Sequence, residues 1–428
     1  MHVYSGAVEA TPTTPVPRRR RVRLGLAPAV ALIVFAGSWL LIHHGFYNHN
    51  LIVDTPVYQG YGDAMAHGQL PYRDFALEYP PGSLPAFVLP ALGQSSPRDV
   101  ADYNDAFEID MWLAGAVLIL ASAFLLRALG ATQRRIWATT LALALMPLAI
   151  GSLIRTRFDL YPAALTVLFL LALVTRRNKT AAAILALATA VKLYPAVLLP
   201  LLLIDVWRRL GRRGALAALG VYAGTLALVF LPFVVLAPHG VIHSLDRQLG
   251  RPLQLESLGA VGLLLAHTLG QPLSIVSSYG SQNVAGGWAR ALGLLSTVFQ
   301  VGLLARLWWL FAHEREERGA ALLRYSAALV AVFIAFGKVL SPQFLIWLVP
   351  LVLLVPGRRG LTATAVMLLS LILTQLYFPG HYWDLVALKS YPIALVALRD
   401  LLLVTVAVVL VWRPRSDLVS DPIARSGD

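Results

Sequence analysis

Long apolar runs, broken by short polar and mostly basic stretches, cover nearly the whole chain. A run of about 20 apolar residues at 1.5 Å rise crosses a bilayer core. The pattern predicts full spans at 24–42, 111–129, 136–153, 160–175, 214–236, 289–311, 320–337, 343–356, 361–377 and 393–412. Two segments do not fit this scheme. Residues 180–206 lie between the basic clusters Arg176-Arg177-Asn178-Lys179 and Arg208, Arg209, Arg212 and Arg213. Both clusters belong on one side of the membrane, and crossing twice takes about 40 residues. A short hairpin is therefore expected, with Lys192-Leu193-Tyr194-Pro195 at its tip, about 18 Å from its base if 180–191 is helical. Residues 258–276 are apolar but interrupted by His267, Gly270 and Pro272. Partial insertion there keeps Arg358-Arg359 and the Arg413 tail on the basic side. The expectation is an all-α polytopic membrane protein of about ten full spans plus short re-entrant helices.

Composition sharpens this reading. The chain of 428 residues is 58% hydrophobic and 13% charged, against about 25% charged in soluble domains. Its net charge of +13 comes from clusters between apolar runs, the pattern of cytosolic loops, so nucleic acid is not an expected partner. That asymmetry predicts both termini in the cytosol. It also predicts a basic tail at 1–23, a second tail at 413–428, and a long first extracytoplasmic loop at 43–109. There are no cysteines, which excludes disulfides and Cys-based metal sites. His43, His44 and His49 lack a zinc spacing, and no glycine loop runs into Lys-Ser or Lys-Thr. No metal, nucleotide or other cofactor is expected. No inverted repeat relates the two halves.

Candidate chemistry concentrates in residues 54–85 and in four smaller clusters. Asp54 stands where the chain leaves the first span, followed by Asp63, Asp74 and Glu78. Tyr58, Tyr61, Tyr72 and Tyr79 supply flat amphipathic rings that pack on sugars or anchor at the lipid interface. The same composition also describes an ordinary solvated loop. A lysine at the depth of Lys192 is a functional candidate, or else it snorkels or pairs with a structural carboxylate. Lys338 and Gln343 lie in Lys338-Val339-Leu340-Ser341-Pro342-Gln343, a turn on the side of Asp54, which also reads as a charged span cap. Arg155, Arg157 and Asp159 form another cluster, and Arg251 with Glu256 the last. Arginine suits phosphate because its planar fork donates two parallel hydrogen bonds.

These stretches resemble a known family. The run Asp54 to Pro85, with Leu70-Pro71-Tyr72-Arg73-Asp74-Phe75 and Glu78-Tyr79-Pro80-Pro81, looks like the first outer loop of actinobacterial polyprenol-phosphate-mannose-dependent mannosyltransferases, membrane enzymes of the GT-C class. Arg157-Phe158-Asp159-Leu160-Tyr161-Pro162, Lys192-Leu193-Tyr194-Pro195 and Leu253-Gln254-Leu255-Glu256-Ser257 extend the likeness. The stretch Lys338 to Trp347 is also similar to one in the eukaryotic GPI first mannosyltransferase. Some members carry a histidine near the Ser-Pro of that late loop, where this chain has Gln343-Phe344. The resemblance implies a single GT-C-like catalytic domain over 24–412 in the plasma membrane, acting on the extracytoplasmic face. The donor would be a polyprenyl-phosphate sugar and the acceptor a glycolipid or glycan in the bilayer's outer environment. Asp54 would be the catalytic carboxylate, Lys338, Arg157 and Lys192 the donor-phosphate ligands, and Tyr58, Tyr72, Asp74, Glu78, Tyr79, Arg251, Glu256 and Gln343 substrate contacts. The competing class is a carrier or flippase for lipid-linked sugars, which would place essential ions near the midplane between related halves.

Overall fold

The computed structural model describes residues 25–45, 52–92 and 100–412; both expected tails and His49 lie outside the described residues. Six of its helices are long and apolar enough to cross a membrane: Val100–Ala128, Tyr194–Leu236, Gly287–Ala312, Arg318–Ala335, Gly357–Tyr377 and Ser390–Val411. Shorter apolar helices are Ala27–His43, Leu160–Val174, Asn178–Val191, Leu258–Thr268 and Pro342–Leu354. The protein is a helical multi-pass membrane protein of the GT-C type.

The hairpin expected at 180–206 is present. Asn178–Val191 runs about 21 Å at 1.5 Å per residue. The chain then opens at Lys192, whose backbone is extended, and Pro195 sits at the start of the Tyr194–Leu198 turn that begins the return. Its two feet meet where Arg209 donates to the Asn178 side chain at 2.9 Å. Gly211, at φ 69° and ψ −170°, then breaks the Leu199–Leu236 helix, so a separate span starts after it. A positive φ of this kind is cheap only for glycine.

The segment 258–276 does not cross. Leu258–Thr268 is 11 residues long, and the chain comes back beside its own start. Leu255 N–H donates to the Gln282 carbonyl at 3.0 Å, and Val284 N–H to the Leu253 carbonyl at 2.9 Å. The chain then forms a β-hairpin, Ile275–Ser278 paired antiparallel with Ser281–Val284. Tyr279 and Gly280 both have positive φ, the backbone of a two-residue turn whose twist matches the strands it joins.

Much of the long loop is helical. Thr55–Ala66 is a helix, and Val100–Ala128 starts well before the apolar run at 111. Tyr103 and Phe107 in its polar first turns are fully buried, so packing against the loop holds a stretch that hydropathy alone leaves out. Ion pairs fasten the end of the bundle opposite the loop. Asp205 takes Arg318 at 2.6 Å and Arg209 at 2.5 Å, and Arg324 meets Glu316 at 2.8 Å.

Candidate active site at the loop end of the bundle

The loop folds around an aromatic core. Tyr58 stacks on Phe87 at 4.8 Å and meets Phe158 edge-on at 5.6 Å, while Tyr79 meets Phe158 at 5.0 Å. Such ring pairs contribute about 0.5–1.5 kcal/mol each beyond their buried area. Pro81-Gly82 presses on the tip of the hairpin. A Cβ on Gly82 would lie 2.5 Å from the Ala190 carbonyl carbon, so only glycine allows this approach.

This core sets Asp54 at the start of the Thr55–Ala66 helix, with Pro56 in the first turn. Its carboxylate makes no capping hydrogen bond. It faces Arg157, whose Nε lies 3.0 Å from Oδ2, and it accepts the Tyr58 hydroxyl at 3.3 Å. The Arg157 Nε–H is not aligned for a hydrogen bond with it, so the contact is one of charge. Arg157 is itself held by the Ile52 and Thr156 carbonyls, each at 3.1 Å. Burial raises the Tyr58 phenol well above its ordinary value, with Tyr79 and Asp54 adding to the effect, so Tyr58 acts as a donor.

Asp54 opens on a cavity of about 460 Å³. Glu78, Tyr79, Arg251, Lys192, Lys338, Ser341 and Gln343 share its wall, with an apolar lining that includes Val197, Phe333, Val339 and Phe344. Helix Pro238–Leu249 fixes Glu78: Gln248 donates to its carbonyl at 2.9 Å and Arg247 pairs with its carboxylate at 3.3 Å. Lys338 Nζ donates to the Leu249 carbonyl at 2.9 Å. Arg251 touches the Tyr279 carbonyl at 3.4 Å and leaves its buried Nε without a partner. Among the described residues, neither Lys338 nor Arg251 has a carboxylate within ion-pair distance. The lining charges and their direct ion partners comprise five cations and three carboxylates, an excess that suits an anionic group.

Lys192 is paired with a carboxylate, one of the readings open in the sequence, and it also lines the cavity. Its Nζ donates to Asp159 Oδ1 at 2.6 Å, and Trp347 Nε1 donates to the same oxygen at 2.6 Å. Trp347 lies between Tyr194 and Phe344, with 4.1 Å to each ring. Lys192 Nζ also sits 4.4 Å from the centre of the Phe158 ring, a cation–π contact.

The cavity thus brings together Asp54, Glu78, Tyr79, Lys192, Arg251, Lys338 and Gln343. The other candidates fall elsewhere. Arg157 and Tyr58 stand behind Asp54 rather than in the wall. Tyr72 packs on Phe233 at 5.4 Å and donates to the Tyr79 carbonyl at 2.6 Å. Asp74 lies on the surface, where Arg73 at 2.9 Å holds its carboxyl below the usual range. Glu256 is 2% exposed and accepts the Tyr377 hydroxyl at 2.7 Å; burial pushes its carboxyl up to about 7, against the pull of Arg399. Arg155 pairs with Glu108, which also meets His43 at 2.9 Å. The Tyr194–Trp347–Phe344 stack and the contributions of Arg247, Gln248 and Tyr279 were not foreseen. Tyr194 and Trp347 lie within resembling stretches, but nothing in their spacing shows that they meet. Among the described residues no three His, Asp or Glu side chains converge as a metal site.

Comparison with known proteins gives one family. The model of Glycosyltransferase family 87 matches residues 77–342, a stretch that holds Glu78, Asp159, Lys192, Arg251 and Lys338 but begins after Asp54. No curated protein matches the chain.

Proposed function

The chain belongs to glycosyltransferase family 87, and from that premise we propose that it moves mannose from a polyprenyl-phosphate donor to a hydroxyl of a glycolipid or glycan, with inversion at the anomeric carbon. That it is a membrane glycosyltransferase follows from the family and the helices. The donor, acceptor class and stereochemistry are the proposal. The observation that carries it is the composition of one cavity wall: a carboxylate, Asp54, shares it with Lys338 and Arg251, two cations lacking carboxylate partners among the described residues, and with an apolar lining.

A sugar on a lipid phosphate carries an acidic leaving group. No second carboxylic acid has to protonate it, unlike the leaving oxygen in glycoside hydrolysis. Lys338, Arg251 and Lys192 stabilise the phosphate as its charge grows. Asp54 takes the proton of the acceptor hydroxyl. The acceptor oxygen bonds to the anomeric carbon as the bond from that carbon to the phosphate oxygen breaks. A β-linked donor gives an α-linked product. Val197, Phe333 and Val339 suit the first isoprene units of the donor. Arg157 holds Asp54 rather than the phosphate, which revises its expected role. The site faces the extracytoplasmic side, with both termini cytosolic, on the distribution of basic residues.

The test is a donor-by-acceptor panel with purified protein in detergent, read by mass spectrometry. Transfer of mannose from polyprenyl-phosphate mannose without any membrane gradient is expected. Transfer only from a nucleotide sugar, or none from any lipid-phosphate sugar, would reject the reading.

A further inference from the structure

We infer that Asp159 is a positioning residue that clamps Lys192 and Trp347 into one rigid unit of the cavity wall, and through them sets how the donor phosphate is held. The inference rests on the cavity being the donor site.

Asp159 is fully buried. It occupies the residue before the Leu160–Val174 helix, yet makes no capping hydrogen bond. One oxygen, Oδ1, takes both Lys192 Nζ and Trp347 Nε1 at 2.6 Å. Those two donors come from distant parts of the chain: the tip of the hairpin, and the apolar helix that follows the Lys338 turn. Both line the cavity; Asp159 does not. A long flexible lysine loses much rotamer freedom on being fixed, and a buried ammonium needs a partner. Asp159 meets both requirements without occupying the side of Lys192 that faces the cavity.

The second half of the clamp is the indole. With Tyr194 and Phe344 at 4.1 Å on its two faces, Trp347 is restrained across its plane. The hydrogen bond to Asp159 fixes its rotation within that plane. Tyr194 is in turn tied to the Leu160–Val174 helix, its hydroxyl 3.1 Å from Thr166 Oγ1. Asp159, Lys192, Tyr194 and Trp347 therefore form a closed set. Moving any one displaces a wall of the proposed donor site, whereas Asp54 is held separately by Arg157.

Two variants test this, with polyprenyl-phosphate mannose as the donor. Asp159→Asn keeps size and an acceptor for the indole but removes the charge that holds Lys192. Asp159→Leu with Lys192→Met replaces the buried ion pair by apolar groups, an exchange that buried pairs often tolerate. In Asp159→Asn, donor KM is expected to rise by about tenfold or more with acceptor KM unchanged; the double variant, which also removes the Lys192 cation, should lose kcat as well. A merely structural role would lower the amount of active enzyme and leave KM alone. The 19F resonance of Trp347 in protein labelled with 5-fluorotryptophan, assigned by its loss in Trp347→Phe, should shift in the double variant. Donor KM within about twofold of wild type in both variants, or an unmoved Trp347 resonance, overturns the clamp. If Asp159→Asn does not fold, the Trp347 resonance of the double variant decides, because its donor KM also carries the direct loss of Lys192. If the wild-type protein uses no lipid-phosphate sugar, the functional reading fails instead, and the resonance judges the clamp by itself.

Discussion

Arg157 Nε lies 3.0 Å from Asp54 Oδ2, and the arginine is 4% exposed where the aspartate is 33% exposed. The pair is thus one-sided: a buried cation reaches forward to a carboxylate at the edge of a cavity. Asp54 immediately precedes the Thr55–Ala66 helix, a position where a carboxylate commonly caps, yet it does not make that bond.

Asp54→Asn separates a base from a scaffold residue. The variant should fold, because Arg157 keeps the Ile52 and Thr156 carbonyls, and it should still bind donor. Turnover should fall by about 100- to 10,000-fold, the range for loss of a general base. Single-turnover transfer with saturating donor measures it. Retention of more than about a tenth of the wild-type rate moves the base assignment to Glu78, the other carboxylate in the wall.

Arg157 and the Lys338–Arg251 pair should fail in different ways. Lys338→Ala and Arg251→Ala each remove a cation facing the cavity, so donor KM should rise, by about tenfold for one charge-assisted contact. Arg157→Gln loosens Asp54 and should lower kcat with a smaller effect on donor KM. Initial-rate kinetics with varied donor show the split. Equal KM effects in all three would return Arg157 to the phosphate.

Much of the helical plan could be read from hydropathy, because membrane spans must satisfy their backbone internally and therefore form long apolar helices. The basic clusters around 180–206 forced a hairpin on length alone, and Lys192 at its tip followed. What the sequence hid depends on contacts between distant segments. Val100 to Asp110 looks polar and is helical because Tyr103 and Phe107 are buried by the loop. Asp159 and Trp347 meet at 2.6 Å across 188 residues of chain, and no local period announces it. Tyr58 and Tyr72 were read as sugar-facing rings, but an aromatic residue in a loop serves a local core equally well, and packing decides between the two.

Glu256 should make stability depend on pH. Its carboxyl is raised by burial to about 7 in the folded protein from an ordinary 4.5. The folded state therefore holds a proton that the unfolded chain releases. Its contribution is fully present below about 4.5 and is lost as pH rises toward 7. The size is on the order of 3 kcal/mol. Glu256→Gln keeps an acceptor for Tyr377 and should flatten the profile between those values. Thermal unfolding midpoints across pH 5 to 8 test this, and an unchanged profile in the variant would assign the dependence to another group.

Placement of the site relative to the membrane can be read by labelling. The chain has no cysteine, so Val57→Cys and Arg212→Cys each introduce a unique thiol at an exposed position. In intact cells an impermeant maleimide should react at 57 and not at 212. The reverse result would put the Asp54 end in the cytosol.

Gly82 provides a test of the loop's docking onto the hairpin. A methyl group at this position meets the Ala190 carbonyl carbon at 2.5 Å and the Val191 nitrogen at 2.8 Å. Both are backbone atoms next to Lys192, so no side chain can rotate away. Gly82→Ala should push the loop off the hairpin tip and cost about 1–3 kcal/mol, the range for overpacking. Because Glu78 and Tyr79 lie just before Gly82 and Lys192 just after Val191, the displacement enters the cavity wall, and donor KM should rise along with the loss of stability. Gly60 is the control. It lies within the Thr55–Ala66 helix with nothing within 4 Å of a Cβ, so Gly60→Ala should be neutral or stabilise by about 0.5–1 kcal/mol through helix propensity. Melting temperatures and donor kinetics of the two variants, measured side by side, check both halves. Equal behaviour of Gly82→Ala and Gly60→Ala would mean that the loop does not press on the hairpin in solution.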